Sequence, residues 1–356
     1  MEAQEKKVLI WRVSNYQKKY LEGILSLFKT NYPDSNLWKK EFFNWQNFKN
    51  PAGDSVIKLA INKSEEVVGF YCVAPQTYLI NGKKIIGSIS LNTLVREDYR
   101  GMGIFTTLAK DCYKECLSKK IMFTLGFPNQ NSYHGFIKNL GFADLGEMPL
   151  LLRPYKISNL LASKLKTESL KNVFKPIDWC LSFGLKNLNE KEKCCFVVSD
   201  ISRIENKNIN RVLREKKFIE WRTGCPGKDY RIVYSKYKNK IDGYMVLGKM
   251  ESESIKSGLV IDLVVSDNDR RDEIVKSLGR QANEYWKSID VDQVGCLLSG
   301  KSAEYDLLRK NGYLKCPDFL KPQPMRPVIK WHGDVVPEGF YNLKNWYITM
   351  IDYDVA

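Results

Sequence analysis

The chain has 356 residues, 44% of them hydrophobic and 12% aromatic, so it can bury a core and is long enough for two domains. Its net charge is +15, but the 56 lysines and arginines are spread along the chain and interleaved with 41 acidic residues. The sequence has no basic tail, no zinc-finger spacing and no aromatic RNA-binding strand. We therefore expect no nucleic-acid partner, and the charge suits anionic small molecules or an anionic surface.

Targeting and redox signals are weak throughout the sequence. The N-terminal segment lacks the apolar core of a signal peptide, and no apolar run reaches the roughly 18 residues of a membrane span. The nine cysteines include no CxxC pair, and only two histidines are present. These counts predict neither a disulfide framework nor a metal site, so we expect a cytoplasmic protein without a bound metal.

The stretch 88–142 reads as a strand, a tight turn, a helix, a second strand and a second helix. Residues 88–95 alternate apolar and polar side chains, and residues 106–117 place apolar side chains on one stripe of a helix. The turn between them contains Gly101 and Gly103, which let an anion approach the backbone closely. Because the first N–H groups of a helix lack intrahelical partners and carry the positive end of its dipole, this turn suits a phosphate.

Several residues of this stretch carry a family resemblance: Val95, Tyr99, Arg100, Gly101, Gly103, Ile104, Asn129, Ser132, Gly141 and Phe142. Together they resemble the core of the GNAT N-acetyltransferases. In that family the turn cradles the pyrophosphate of acetyl-CoA, and the end of the preceding strand holds the pantetheine and polarises the thioester carbonyl. The resemblance thus implies an acetyl-CoA site at Leu94, Val95, Arg96, Arg100, Gly101, Met102, Gly103, Ile104, Phe105, Thr106, Asn129 and Ser132. Phe105 departs from the small residue usual in the family, and its ring either displaces the helix start from the acyl donor or points into the core.

The resemblance also implies direct attack of an amine on the thioester, with no covalent enzyme intermediate. The protein must then place the reactants, accept a proton from the ammonium group and protonate the leaving thiolate. The family's usual acid is a tyrosine at a position that here holds Ile137, which has no proton to give. Tyr133 and His134 lie one helical turn earlier, and either is a candidate acid. The alternatives are a packing role for Tyr133, a solvent-facing His134 and protonation of the thiolate by solvent.

The C-terminal residues 346–351 have strand composition, so we expect them to be packed. In some acetyltransferases built from tandem GNAT-like domains, the chain end reaches the active site of the first domain. Asp352, Asp354 or the terminal carboxylate is therefore a candidate acceptor of the ammonium proton. The alternative is a last strand that carries two exposed acids.

Four short patterns recur in the same order in the two halves of the chain: 43–45 and 219–221, 67–71 and 240–244, 92–95 and 261–264, and 138–142 and 309–313. This repeat predicts two copies of one domain. We predict a mixed α/β fold of two tandem GNAT-like domains, each a twisted mixed sheet flanked by helices. The predicted limits are 1–155 for the first domain, 156–193 for a helical linker and 194–356 for the second domain.

The second copy has lost the glycine turn. Residues 267–273, with the sequence DNDRRDE, stand at its place, and their carboxylates would repel a pyrophosphate. We therefore predict that the second domain is degenerate and binds no acyl donor. The linker, rich in lysine and large apolar residues, is either a connecting helix or a basic amphipathic helix that contacts a membrane surface.

The segment 295–302, GCLLSGKS, matches the nucleotide-binding pattern G-x-x-x-x-G-K-[ST]. Its residues 296–299 read as a strand, however, which does not suit a loop that wraps phosphates. The function we predict is an acetyl-CoA-dependent N-acetyltransferase that acts on a primary amine, an amino sugar or another small amine, in a ternary complex. A non-catalytic scaffold with two degenerate domains and a nucleotide triphosphatase using 295–302 are the alternatives, and the oligomeric state stays open.

Overall fold

Two β-sheets, each flanked by helices, form the frame of the protein. The computed structural model describes residues 10–156, 158–159, 209–238, 240–252, 255–266, 269–300, 302–318, 321 and 323–353. The predicted linker helix lies almost entirely outside these residues. The predicted mixed α/β architecture with two sheets is confirmed by the strand order below.

Sheet A contains β1 (Trp11–Asn15), β2 (Val56–Asn62), β3 (Val67–Ile80), β4 (Lys83–Val95), β5 (Phe123–Gly126), β6 (Ala143–Asp144), β8 (Arg211–Val212) and β14 (Val328–Trp331). Its order is β1-β2-β3-β4-β5-β14-β6, with β8 paired to β3. The pairing of β4 with β5 is parallel, and the other pairings in the sheet are antiparallel.

Sheet B contains β7 (Leu150–Pro154), β9 (Arg231–Tyr237), β10 (Lys240–Ser252), β11 (Ile255–Val265), β12 (Gln293–Leu297) and β13 (Leu314–Lys315). Its order is β13-β7-β12-β11-β10-β9, and only β11 and β12 pair in parallel. Strands β10, β11 and β12 therefore repeat the arrangement of β3, β4 and β5, as the sequence repeat predicts.

The described helices of eight or more residues are α1 (Leu21–Asn31), α2 (Lys40–Phe48), α3 (Ile104–Ser118), α5 (Lys216–Thr223), α6 (Arg271–Ser288) and α7 (Ala303–Lys310), and the short α4 spans Gln130–His134. Helix α3 buries Leu108, Cys112 and Cys116 against one face of sheet A, so the predicted apolar stripe is confirmed. Leu117, also assigned to that stripe, is 46% exposed, and the helix begins two residues earlier than predicted. Helices α1 and α2 pack on the opposite face.

The two halves of the chain exchange strands. β7 follows β6 in the chain but pairs with β12 of sheet B, and β14 from the second half inserts between β5 and β6 of sheet A. Each half thus completes the sheet of the other. The limits 1–155 and 194–356 stay a prediction, to which the structure adds this reciprocal exchange.

Equivalent residues of the repeat meet between the two halves. Trp45 of α2 and Trp221 of α5 stack with ring centroids 5.0 Å apart. Each indole N–H donates to the backbone carbonyl of the other tryptophan, at 2.8 and 3.0 Å. Because each residue makes to the other the contact it receives, the two copies are related locally by a pseudo-twofold axis through this pair.

Candidate functional site: a cleft between β4 and β5

A cleft opens in sheet A where its two parallel strands part. β4 and β5 pair at two positions, the last of which is Ile89 with Leu125. Beyond that pair β4 continues to Val95, whereas β5 ends at Gly126. The space between the strand ends is a cleft of about 770 Å³, which is large enough for the reactive part of a large ligand.

A bulge in β4 forms one wall of this cleft. Asn92 and Thr93 fall between Leu91 and Leu94 without partners in the β3–β4 register. Asn92 has a φ of 51°, a left-handed conformation that costs a non-glycine residue about 1 kcal/mol. In such a bulge, backbone N–H and C=O groups are left without a partner in the neighbouring strand. These groups are available to a ligand. The predicted donor contacts Leu94 and Val95 line the cleft at this wall.

Arg96, the next predicted contact, is not brought to the cleft. Its N–H donates to the carbonyl of Val68 at 2.9 Å, and its guanidinium binds Asp98 at 2.8 Å and Glu66 at 3.2 Å. Its side chain lines a separate groove beside α1. Arg96 therefore fixes the chain as it leaves β4, and its N–H is already bonded.

The glycine turn lies between Arg100 and Phe105, which both line the cleft, whereas residues 101–104 do not line it. Gly101 and Gly103 have φ values of 77° and 73°, which L side chains rarely adopt, and a Cβ at either position would meet no heavy atom within 4 Å. Gly103 caps α3, and the N–H of Thr107 bonds back to its carbonyl at 3.0 Å. The preceding N–H groups of the first helical turn, those of Ile104, Phe105 and Thr106, are therefore the ones that suit an anion.

The side chains of this turn take different directions. Arg100 is exposed, lines the cleft and lies 3.9 Å from Glu97. Met102 is 37% exposed, whereas Ile104 is buried against Gly69. Arg100 thus offers a side chain to an anion, and Ile104 offers only its backbone.

Phe105 points inward from the turn and lines the cleft. Its ring contacts those of Tyr71 and Phe136 edge to face, at 5.9 and 5.5 Å between centroids. A Cβ at Gly135 would lie 2.8 Å from the Phe105 ring. The absence of a side chain at Gly135 therefore makes room for the large residue, which packs inward and leaves the glycine turn clear.

The other predicted donor contacts begin α4. The Asn129 side chain caps this helix, accepting from the N–H and the hydroxyl of Ser132, each at 3.0 Å. Both residues line the cleft. The structure therefore brings Asn129 and Ser132 together with Arg100 and Phe105 around one space.

The two candidate acids diverge. The Tyr133 hydroxyl donates to the Asp144 carboxylate at 2.6 Å, and Arg326 donates to the same oxygen at 2.6 Å. The bond to Asp144 raises the pKa of Tyr133. His134 is exposed and lines the cleft. Of the pair, His134 is the one that lines the cleft.

The C-terminal segment is packed, as the sequence analysis expected, and one of its residues contacts a residue of the cleft. The ring of Tyr353 packs on that of Phe127, with centroids 4.6 Å apart, and Phe127 lines the cleft. Asp352 does not serve as an exposed base, because it is buried and bound to Arg214 at 3.0 Å. Burial raises the pKa of this carboxyl to about 6. Asp354 lies outside the described residues.

The equivalent gap in sheet B is filled. Past the end of β12, the N–H of Ser299 donates to the carbonyl of Ile348 at 2.9 Å, and Leu298 bridges to Thr349. On the β11 side, the Thr349 hydroxyl donates to Asp262 at 2.8 Å. The C-terminal segment thus occupies the space between β11 and β12.

The GKS-like segment belongs to this filled region. Its first residues are the end of β12, as predicted, and the N–H of Ser299 is bonded to the C-terminal segment. Gly300 packs on Pro149, and Lys301 lies outside the described residues. Of the described residues, 295–297 are therefore strand, Leu298 forms an isolated bridge and Ser302 caps α7.

Several cleft residues carry no signal in the sequence analysis: Tyr32, Leu37, Ser90, Phe127 and Asn131. They come from three separate parts of the chain and converge only when the sheet forms. Among the described residues, no three His, Cys, Asp or Glu side chains are placed to hold a metal ion. None of the described helices is long and apolar enough to cross a membrane.

Comparison with known proteins agrees with this geometry. Residues 18–142 match the sequence profile of the acetyltransferase (GNAT) family. A search of curated protein sequences gave no match. The matched residues include α1 to α4 and the whole glycine turn.

Solved structures share the fold over most of the chain. A GCN5-related N-acetyltransferase from Anabaena variabilis aligns with 91% of this chain and 73% of its own, at 12% identity and a TM-score of 0.58. The N-myristoyltransferase of Saccharomyces cerevisiae with bound myristoyl-CoA aligns with 90% and 82%, at 14% identity and a TM-score of 0.59.

A tandem GNAT protein from the clavulanic acid biosynthesis pathway aligns with 92% of this chain and 100% of its own, at 12% identity and a TM-score of 0.57. At identities this low, the comparison shows a shared fold alone. The activity of this chain has to be argued from its own residues. Residues 18–142 thus match the acetyltransferase (GNAT) family, and the fold over most of the chain is that of solved GNAT structures, a tandem GNAT protein among them.

Proposed function

We propose that this chain transfers an acetyl group from acetyl-CoA to a primary amine of a small molecule, such as an amino sugar. The observation that carries the proposal is that the anion-suited turn and the β4 bulge serve one cleft: Arg100 and Phe105 line it together with Leu94 and Val95. A phosphate-bearing thioester needs both features at once.

The chemistry of the residues fits each part of such a donor. The first-turn N–H groups of α3 and the Arg100 side chain suit the pyrophosphate. The strand end at Leu94 and Val95 suits the amide-bearing pantetheine arm, which can bond as an added strand would. The bulge at Asn92 and Thr93 offers backbone groups that can stabilise the negative charge on the carbonyl oxygen.

The proposed step is direct attack in a ternary complex. The neutral amine nitrogen forms a bond to the thioester carbonyl carbon, the carbon–sulfur bond breaks, and the electron pair leaves with the sulfur. One proton must leave the nitrogen and one must reach the thiolate. His134 lines the cleft with an imidazole that can carry a proton, and we assign it protonation of the thiolate.

The direct test is release of the free CoA thiol from acetyl-CoA with a panel of amines: glucosamine, spermidine, kanamycin and lysine. We expect turnover with at least one amine and formation of the acetylated product by mass spectrometry. If acetyl-CoA binds but no amine is acetylated, a binding or scaffold role replaces the proposal. ATP hydrolysis that Lys301→Ala abolishes would favour the nucleotide triphosphatase.

The acyl chain length is tested with the same assay. Myristoyl-CoA is the ligand of the yeast structure and is not carried over to this chain. We propose an acetyl donor because the matching profile is that of acetyltransferases. A series of acetyl-, butyryl-, octanoyl- and myristoyl-CoA should give the highest kcat/KM for acetyl. A maximum at a longer chain would keep the transferase and replace its donor.

A further inference from the structure

The residues that follow the two stacked tryptophans differ between the copies: one contacts a cleft residue, and the other contacts the C-terminal segment. In the first copy Trp45 is followed by Gln46, and in the second Trp221 is followed by Arg222. The buried Gln46 side chain accepts a hydrogen bond from the Asn92 side chain at the β4 bulge. In the first copy, the residue next to the stacked tryptophan thus supports the wall of the cleft that the β4 bulge forms.

Arg222 makes the corresponding contact to the chain's C-terminal segment. Its Nε donates to the carbonyl of Ile351 and its Nη2 to that of Tyr353, both at 2.9 Å. Its guanidinium carbon lies 5.7 Å from the Trp45 ring and 5.6 Å from the Trp221 ring. The side chain is therefore fixed on two indoles and holds two backbone carbonyls that are two residues apart.

The segment that Arg222 holds supports the opposite side of the cleft. Tyr353, whose carbonyl accepts from Arg222, packs its ring on Phe127, which lines the cleft. Two hydrogen bonds and one ring contact thus connect a helix of the second half to a wall of the first-half cleft. Arg222 itself is 6% exposed, so its contribution is made from inside the protein.

The cleft crosses sheet A from one face to the other. Phe105 and Phe136 belong to the core on the α3 side, where the glycine turn lies. Leu91 and Phe127 belong to the core between the two halves. A donor whose phosphates lie at the α3 turn fills the cleft from the α3 side, so the acceptor must approach from the side of Leu91 and Phe127.

We propose that Arg222 of the second, degenerate copy is a positioning residue for the amine acceptor: it holds 351–353 so that Tyr353 sets Phe127 at the acceptor side of the cleft. This inference rests on the acyl transfer proposed above. It assigns a role to the second copy, in which the C-terminal segment fills the gap between β11 and β12. Of the residues that the structure describes, none of the second copy lines the cleft, and this copy shapes the site through Arg222.

Arginine suits this position for a chemical reason. Its planar fork reaches two carbonyls in fixed geometry while its face stacks on the indoles, whereas a lysine ammonium reaches one carbonyl as a point charge. Among the described residues, no carboxylate lies within ion-pair distance of Arg222. A neutral replacement of similar length therefore breaks no ion pair within the described part of the chain, and we expect it to fold.

The test compares Arg222→Met, Arg222→Lys and the control Lys217→Met, which removes the same charge from an exposed position of α5. The acceptor probe is the panel amine with the highest turnover, beginning with glucosamine. For Arg222→Met we expect the acceptor KM to rise about tenfold, with acetyl-CoA affinity and kcat kept within about threefold. Arg222→Lys should recover part of the loss, and Lys217→Met should match the wild type.

Hydrogen exchange of the peptide 346–353 supplies a readout that does not depend on the acceptor. We expect faster exchange in Arg222→Met than in Lys217→Met, because the two bonds to the segment are lost. An unchanged acceptor KM, or unchanged exchange, would overturn the proposal while leaving acyl transfer intact. A wild type that fails to bind acetyl-CoA would overturn the proposed function and this inference together.

Discussion

The gap between β4 and β5 and the gap between β11 and β12 have the same origin and opposite outcomes. In both sheets, two parallel strands pair briefly and then part. In sheet A the gap is a cleft of about 770 Å³. In sheet B, the C-terminal segment fills the gap, bonded to Ser299 on one side and to Asp262 on the other.

The difference shows that the same arrangement of two parting strands has two outcomes. It forms a cleft when the gap stays open and a packed core when a segment of the chain enters the gap. At the first gap, Thr93 is the bulge residue, and by the repeat its counterpart in the second gap is Asp262. Asp262 is buried and binds Arg214 at 2.9 Å, Tyr244 at 2.8 Å and the C-terminal segment. A charge at this position turns the second gap into a polar core, and no room for a ligand is left among these bonds.

The largest effect is expected from breaking that polar core. Arg214→Met would leave the buried carboxylates of Asp262 and Asp352 without their shared cation, and we expect a loss of about 3–5 kcal/mol in the free energy of unfolding by urea. Adding Asp352→Asn should recover part of the loss, since one of the two like charges is removed. A loss below about 1 kcal/mol would mean that the filled gap does not depend on these charges.

The pH dependence of stability should report the same cluster. The pKa of Asp352 is raised from 3.8 to about 6 by burial. The folded state therefore holds this proton more tightly, so the stabilisation is complete below pH 3.8 and is lost as the pH rises through about 6. Relative to Asp352→Asn, the wild type should lose up to about 3 kcal/mol between pH 4 and 7 in urea unfolding. Parallel stability curves for the two proteins would contradict the raised pKa.

A third prediction separates the two candidate acids at the open gap. His134→Ala should lower kcat by about 10- to 100-fold without changing acetyl-CoA affinity, because His134 lines the cleft. Tyr133→Phe should change kcat by less than about threefold, since its hydroxyl is bonded to Asp144. The reverse pattern in steady-state kinetics would return the acid role to Tyr133.

The smallest effect is expected where the open gap meets the turn. A Cβ at Gly135 would lie 2.8 Å from the Phe105 ring, so Gly135→Ala should displace that ring and weaken acetyl-CoA binding by about three- to tenfold. Gly135→Ala combined with Phe105→Leu should restore most of the affinity, measured by calorimetric titration. If the double variant binds more weakly than the single one, Phe105 contacts the donor directly.

Much of sheet A could be predicted because its signals are local. The helical spacing of Leu108, Cys112 and Cys116 defines α3. The two glycines of the turn, which adopt positive φ, are visible in the sequence as a Gly-x-Gly pattern. The repeat predicted the second sheet. These features depend on neighbours in the chain, so the sequence suffices.

The rest depends on contacts between distant residues. Residues 150–154 form a strand that joins sheet B, and nothing local in the sequence shows which sheet it joins. Tyr133 was placed by ordinary helical spacing from Ile137, whereas the chain from Gly135 to Asn139 is a π-helical turn, which changes the direction of successive side chains. The contacts of Arg222 to 351–353 likewise join residues more than a hundred positions apart.

The comparison of the two gaps is tested most directly by the stoichiometry of acetyl-CoA binding, measured by calorimetric titration of the wild type, Gly103→Asn and Gly103→Asp. The two substitutions have nearly the same shape, and asparagine and aspartate both tolerate the left-handed backbone. Only aspartate adds a negative charge beside the α3 N-terminus. We predict one site per chain, retained in Gly103→Asn with a moderate loss and weakened about 100-fold or more in Gly103→Asp. Two sites per chain, or one site of unchanged affinity in Gly103→Asp, would contradict the account.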